Sequence, residues 1–221
     1  MYQAAIFDLD GTVVDTVESI GHTMNLCLAG YGLPEQPIEK YRFFAGDGAQ
    51  KLVERALEAA GNQDASLAER AFKDYMERFR SGCLYRVRAF SGLKETLTKM
   101  KKSGMRLAVC TNKPHWNAVE VIRKVYGENL FDEILGDRPD HARKPSPQGP
   151  LLLAGRLNAE PKSCLYVGDT DTDMRTGRAA GMVTAGVLWG FRGKEELLKE
   201  GASVLAERPE DLLAIAGIGE S

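Results

Sequence analysis

The sequence predicts an α/β fold: a three-layer domain on a parallel sheet, with an α-helical domain inserted near its start. Three observations predict it. The apolar runs Ala4-Ala5-Ile6-Phe7, Leu107-Ala108-Val109-Cys110 and Cys164-Leu165-Tyr166-Val167 read as short buried strands. From Phe90 onward helical patterns alternate with strands, as in a parallel sheet covered on both faces. Between Thr16 and about Tyr85 strand-like runs vanish and helical spacing dominates.

The first strand runs into Asp8-Leu9-Asp10-Gly11-Thr12-Val13-Val14-Asp15. Two carboxylates two residues apart, followed by Gly, sit where a strand becomes a loop. The loop can aim one side chain and one backbone carbonyl at the same point, which suits a hard cation such as Mg²⁺. A strand-end carboxylate beside a cation can also attack phosphorus and form an aspartyl-phosphate. The same run reads as an ordinary acidic turn with Gly.

The helical region comes next. Val17, Ile20, Met24 and Leu28 mark one helix, and Leu52, Val53, Ala56, Leu57 and Ala60 a second, ended by Gly61-Asn62. Leu67 to Met76 with Phe79 marks a third. The predicted organisation is an α/β core of residues 1–15 and 86–221, with residues 16–85 as the helical insert. Because the insert enters just after Asp15, its chain ends must lie near the strand-end chemistry. It is either a lid that excludes water or a bundle packed permanently on the core.

The second strand ends in Thr111-Asn112-Lys113, and Arg143-Lys144-Pro145-Ser146-Pro147 places a cation in a proline-stiffened loop. The third strand ends in Gly168-Asp169-Thr170-Asp171-Thr172-Asp173. Ligands of parallel α/β sheets bind at the carboxyl ends of the strands, so these clusters are expected to converge on one crevice. Lys144 offers a point charge to a phosphate and to Asp8. Lys113 reads as the weaker cation, a solvated residue at a helix start. Asp171 reads as surface or capping, Asp15 as a hinge or helix-cap carboxylate. Gly217–Ser221 reads as a frayed tail.

Composition narrows the function classes. Among 221 residues, 31 acidic and 29 basic side chains leave a formal charge of −2, without the basic excess of a nucleic-acid binder. No apolar run is long enough to cross a bilayer, and the start shows no signal-peptide pattern, so a cytoplasmic protein is expected. Cys27, Cys83, Cys110 and Cys164 form no CxxC pair and read as reduced structural thiols. His22, His115 and His141 lack metal-ligand spacing and read as solvated or capping.

The four polar clusters, in this order, resemble the motifs of the haloacid dehalogenase (HAD) superfamily, specifically its phosphatase branch. Asp8–Asp15 is similar to its first motif, Thr111 to the second, Lys144 to the third and Gly168–Asp173 to the fourth. The resemblance implies a Rossmann-like HAD core with a helical cap after the first motif, and Mg²⁺ as cofactor. It implies Asp8 as nucleophile and Asp10 as acid/base. The metal would be held by Asp8, Asp169 and the backbone carbonyl of Asp10, with Asp173 behind them, acting through water or orienting Lys144. Thr111, Asn112 and Lys144 would bind the phosphate, Asn112 through its backbone or side-chain amide.

Departures select the branch. Dehalogenases of this family lack the Asp10 carboxylate. Sugar phosphomutases carry a cap His where this chain has Ile20. The loop Tyr41–Gly48 resembles the substrate loop of phosphoglycolate phosphatases, with Phe44, Ala45 and Gly46 at its centre, as does Gly186-Val187-Leu188-Trp189-Gly190-Phe191. Arg192 reads as a surface arginine within reach of a substrate carboxylate. The loop also reads as an ordinary helix–helix turn, and no obvious cap cation is in place for a carboxylate. The expected partner is therefore a small phosphorylated metabolite: 2-phosphoglycolate first, with pyrophosphate and small sugar phosphates open. Phosphotransfer to another acceptor and a non-catalytic phosphate-sensing module are the remaining alternatives. The expected state is a monomer or homodimer.

Overall fold

The structure is a computed structural model that describes residues 2–62, 64 and 66–219. Along the chain come strands β1 (Ala4–Phe7) and β2 (Val14–Asp15), then helices α1 (Val17–Gly30), α2 (Tyr41–Phe44), α3 (Ala49–Ala59) and α4 (Leu67–Gly82). The remainder alternates: β3 (Arg88–Ala89), α5 (Leu93–Lys102), β4 (Arg106–Pro114), α6 (His115–Tyr126), β5 (Glu133–Asp137) and α7 (Gln148–Arg156). It ends with β6 (Cys164–Gly168), α8 (Asp171–Ala179), β7 (Val183–Val187), α9 (Lys194–Lys199), β8 (Val204–Ala206) and α10 (Asp211–Ile215). The chain divides into two compact units, Met1–Asp15 with Arg88–Ser221, and Thr16–Val87.

The first unit holds a six-stranded sheet of order β5-β4-β1-β6-β7-β8, parallel throughout. β1 is central, and its four residues are wholly buried. Strand periodicity sends alternate side chains to opposite faces. The register aligns Ile6 with Ala108 and Tyr166 on one face, and Phe7 with Val109 and Val167 on the other. Ile6, Ala108 and Tyr166 join Leu153 and Ala154 of α7 in one core cluster. Phe7 meets Phe131, which meets Tyr126 of α6, in edge-on contacts. Both faces are thus covered, which gives the three layers and explains why the strands are unbroken apolar runs.

Several features differ from the sequence reading. β4 does not stop at Cys110; it runs on to Pro114 with a register shift against β5 between Cys110 and Pro114. Thr111, Asn112 and Lys113 therefore lie on a strand, not at a helix start. β2 and β3 form a two-stranded antiparallel pair, too short to show as a pattern. Asp15 lies in that pair and binds Arg88 at 2.9 Å; the α1 N-cap is Thr16, with no side-chain cap bond, so Asp15 is no helix cap. At the C-terminal end, Gly217 and Ile218 are not frayed: their amides close α10 on Ala214 and Leu213. Glu220 and Ser221 of the expected tail lie outside the described residues.

The second unit is helical. Leu67, Ala71, Tyr75 and Phe79 form the buried stripe of α4, at the four-residue spacing of one helix face. α1 and α4 approach closely at Gly82, where a Cβ would overlap Thr23. The Asn25 amide ties α1 to the segment before α2: its Nδ2 donates to the Gln36 carbonyl, while its Oδ1 accepts from the Gln36 amide and from the Tyr41 hydroxyl at 2.6 Å. Among the described residues, no helix is long and apolar enough to cross a membrane.

Candidate active site

The chemistry-bearing residues of the α/β unit gather at the carboxyl ends of β1, β4 and β6. Asp8 follows β1 directly, and its amide donates to the Val167 carbonyl at 2.8 Å. The chain then turns tightly around the Leu9 carbonyl, which accepts from the amides of Thr12, Val13 and Val14. This turn requires Gly11 at φ +88°, left-handed backbone that glycine adopts without steric cost. The Tyr126 hydroxyl donates to the Val13 carbonyl at 2.5 Å and anchors the turn on α6.

Lys144 is buried, and its Nζ lies 2.6 Å from Asp8 Oδ1 and 2.7 Å from Asp173 Oδ1. Its backbone is held by the Asn112 side chain: Asn112 Nδ2 donates to the Lys144 carbonyl at 3.2 Å, and the Lys144 amide donates to Asn112 Oδ1 at 2.9 Å. The Asn112 side-chain amide therefore places the Lys144 backbone. The neighbouring Thr111 hydroxyl is buried and accepts from the Lys113 amide at 3.2 Å.

Asp173 is placed by helix capping. Thr170 caps α8 in a reciprocal capping box with Asp173, which satisfies helix-start amides that otherwise lack partners. Asp173 Oδ2 accepts from the amides of Asp169 and Thr170 and from the Thr170 hydroxyl. Its other oxygen faces Lys144. Gly168 is required here, because a Cβ would overlap Asp173. Asp171 starts α8 and pairs with Arg175, away from these groups. Asp169 is fully buried; its Oδ1 accepts from the Thr12 hydroxyl at 2.6 Å and its Oδ2 from the Phe191 amide at 2.7 Å.

Lys113 corrects the sequence reading most. It is buried, not solvated, and its Nζ binds Asp10 Oδ1 at 2.8 Å. The site thus holds two buried lysines, each on one carboxylate of the Asp8–Asp10 pair. Arg192 is likewise no surface residue: its side chain is only 9% exposed and lies 3.2 Å from Glu196. Lysine and arginine at such positions look solvent-facing in a sequence because nothing local marks burial.

Carboxylate oxygens of Asp8, Asp169 and Asp173 all lie within 4.8 Å of one another. Burial pushes the Asp8 carboxyl up to about 7, against the pull of Lys144. Asp169 is raised well above the usual carboxylate range, by burial first and then by Asp173 and Asp8. Burial also works against charge on Lys144, yet Asp173 and Asp8 outweigh it and hold its ammonium well above the ordinary lysine value. Three crowded carboxylates with one shared lysine favour a further cation. The donors are all oxygen, which suits a hard divalent ion. Asp173 already accepts four donors, so Asp8 and Asp169 are the freer ligands.

In the helical unit, Phe44 ends α2, Ala45 is buried, and Gly46 and Gly48 both take positive φ. Arg55 of α3 braces this loop, donating to the Phe44 carbonyl at 3.0 Å and meeting Asp47 at 2.5 Å. A cation does therefore stand on the loop, supplied from the next helix where the loop sequence itself lacks it. His22 stacks on Tyr85 at 4.2 Å, and the His115 ring accepts from the Gly136 amide.

Comparison with known proteins follows the same lines. A family model described as haloacid dehalogenase-like hydrolase matches residues 5–187. A phosphoglycolate phosphatase of Haemophilus influenzae is 36% identical over 190 residues, 84% of this chain and 85% of that protein. Phosphoglycolate phosphatase 1 of Pseudomonas aeruginosa is 31% identical, over 96% of this chain and 78% of the relative. Among solved structures, a candidate phosphoglycolate phosphatase from Lactobacillus delbrueckii subsp. bulgaricus superposes with a TM-score of 0.92 at 26% identity, covering 99% of both chains. A haloacid dehalogenase-like hydrolase from Streptococcus pneumoniae, 23% identical, shares the fold with a TM-score of 0.86, covering 97% of this chain and 98% of that one.

Proposed function

The chain belongs to the haloacid dehalogenase-like hydrolases and is a phosphatase of that family, and we propose that it hydrolyses a small phosphomonoester through an aspartyl-phosphate, with 2-phosphoglycolate as first substrate. The observation that carries this reading is the paired arrangement of Asp8 on Lys144 and Asp10 on Lys113. The substrate assignment rests on the relatives and on the loop at Phe44, Ala45 and Gly46.

Asp8 attacks phosphorus, and the bond from phosphorus to the glycolate oxygen breaks. Asp10 gives its proton to the departing alkoxide. A water then attacks the phosphorus of the Asp8 phosphate, Asp10 takes its proton, and the bond to Asp8 breaks, releasing phosphate. Lys144 shields Asp8 from the incoming dianion and, with the Thr111 hydroxyl and the Asn112 backbone amide, binds phosphate oxygens. Asp173 keeps Lys144 in place, a supporting role typical of groups behind the first ligands. Asp8, Asp169 and the backbone carbonyl of Asp10 would hold Mg²⁺, which when bound supplies positive charge against the phosphate oxygens. The helical unit is assigned as the cap and Phe44–Gly46 as its substrate loop, which Arg55 braces. Four buried free thiols suit a reducing cytoplasm.

The test is phosphate release from 2-phosphoglycolate, pyrophosphate and small sugar phosphates, each with Mg²⁺ and with chelator. Fast Mg²⁺-dependent release from 2-phosphoglycolate is expected, with one oxygen of labelled water entering the phosphate. Preference for another ester keeps the chemistry and overturns the substrate. No release from any of them overturns the reading.

A further inference from the structure

We propose that the loop after β7, through Trp189 and Phe191, is a positioning clamp for the carboxylate of Asp169. The inference rests on the reading above, in which Asp169 is a metal ligand. It adds to the site two residues that carry no acid, base or nucleophile.

A carboxylate holds a cation well when its rotamer and plane are set beforehand. Both oxygens of Asp169 are engaged by neutral donors, Thr12 Oγ1 at 2.6 Å and the Phe191 amide at 2.7 Å. Each oxygen has two lone pairs, so one stays open on each for a cation. The backbone closes on both sides of the group: a Cβ on Gly11 or on Gly190 would overlap Asp169. Rotation of this side chain is therefore blocked sterically as well as tied.

Thr12 is held in turn from the same loop. The Trp189 indole Nε1 donates to the Thr12 carbonyl at 3.0 Å. Trp189 and Phe191, separated only by Gly190, thus grip two partners: the backbone of the first turn and the carboxylate at the end of β6. The geometry links three strand ends, those of β1, β6 and β7. Trp189 acts through Thr12 and is a positioning residue, as is Phe191 through its amide.

The experiment measures Mg²⁺ affinity calorimetrically on the intact protein. Trp189→Phe keeps an aromatic ring and removes the N–H; Thr12→Val removes the hydroxyl, and Thr12→Ser restores it. Expected are weakening of Mg²⁺ binding by about ten-fold or more in Trp189→Phe and Thr12→Val, the range for groups that orient metal ligands, and near-parent affinity in Thr12→Ser. The chain has two tryptophans, so a Trp116→Phe background isolates Trp189, whose emission should shift as Mg²⁺ is added. Melting curves establish that each variant is folded; should Thr12→Val fail to fold, Trp189→Phe and the emission titration decide. Parent affinity in folded Trp189→Phe, with Trp189 emission indifferent to Mg²⁺, overturns the clamp. Phosphate release by the parent, measured alongside, separates that result from failure of the functional reading.

Discussion

Charged pairs occupy both units of this chain, and the sharpest contrast is between the outer face of α4 and the strand ends of the sheet. On α4 they are one-to-one and wet. Lys73 and Glu69 on α4 meet at 2.7 Å with side chains 72% and 77% exposed, and Arg78 pairs with Asp74 one turn on. In the α/β unit Lys144 is shared between Asp8 and Asp173, and Lys113 sits on Asp10, with both ammonium groups cut off from water. Exposed pairs contribute little because water and salt screen them. Buried pairs carry a desolvation cost that hydrophobic residues would avoid. A chain that keeps two buried lysines at one end of its sheet is holding charge for chemistry. The contrast is a reason to look at the strand ends rather than at the helices for the reacting groups.

The contrast breaks first at Asp8. Asp8→Asn is expected to lower turnover by at least about 10⁴-fold, as loss of a nucleophile does, while melting shows a metal-free protein more stable than the parent near neutral pH, where burial disfavours the Asp8 charge. The stability gain has a pH signature. In the fold the Asp8 carboxyl keeps its proton up to about 7, whereas its ordinary value is 3.8. Between those values the unfolded chain ionises and the folded chain does not, so the Asp8 contribution to the stability of the metal-free parent falls as pH rises through that window and is constant above it. Asp8→Asn should flatten this slope. Equal slopes in parent and variant would show that Asp8 is not the buried charge responsible.

Lys144→Met comes next. It strips Asp8 and Asp173 of their shared cation and should destabilise the metal-free protein by about 3–5 kcal/mol, the cost of breaking a buried pair. Chemical denaturation measures it, and added Mg²⁺ should recover part of the loss.

Lys113→Met should fold and lose about ten- to hundred-fold in kcat, a fraction of the 10²–10⁴ that acid–base groups contribute. KM for 2-phosphoglycolate should change less, and Lys113→Arg should restore part of kcat. An unchanged kcat in Lys113→Met would remove Lys113 from the mechanism.

Lys73→Ala supplies the opposite pole. Steady-state rates and the melting midpoint should be those of the parent, since both partners remain in water.

The sheet's inner strands were legible because burial on both faces leaves an unbroken apolar run, and β1, β4 and β6 all show one. The edges were less so. β8, with Val204 exposed and Leu205 half-buried, owes its identity to pairing with β7, and β2 and β3 have two residues each. The first helices were legible through their apolar spacing, since that periodicity is local.

What the sequence determined by itself is the order of the chemistry: acids, hydroxyl, lysine and acids again, each after a strand or in a stiff loop, on a parallel sheet whose strand ends lie on one side. What only the tertiary structure decided is which charge meets which. The Asn112 side chain braces the backbone of Lys144, Lys113 leaves solvent for Asp10, and Trp189 reaches Thr12 across 177 positions of chain. Hydrogen-bond partners and desolvation depend on distances in space, and a residue's neighbours along the chain carry no record of them until the strands have paired.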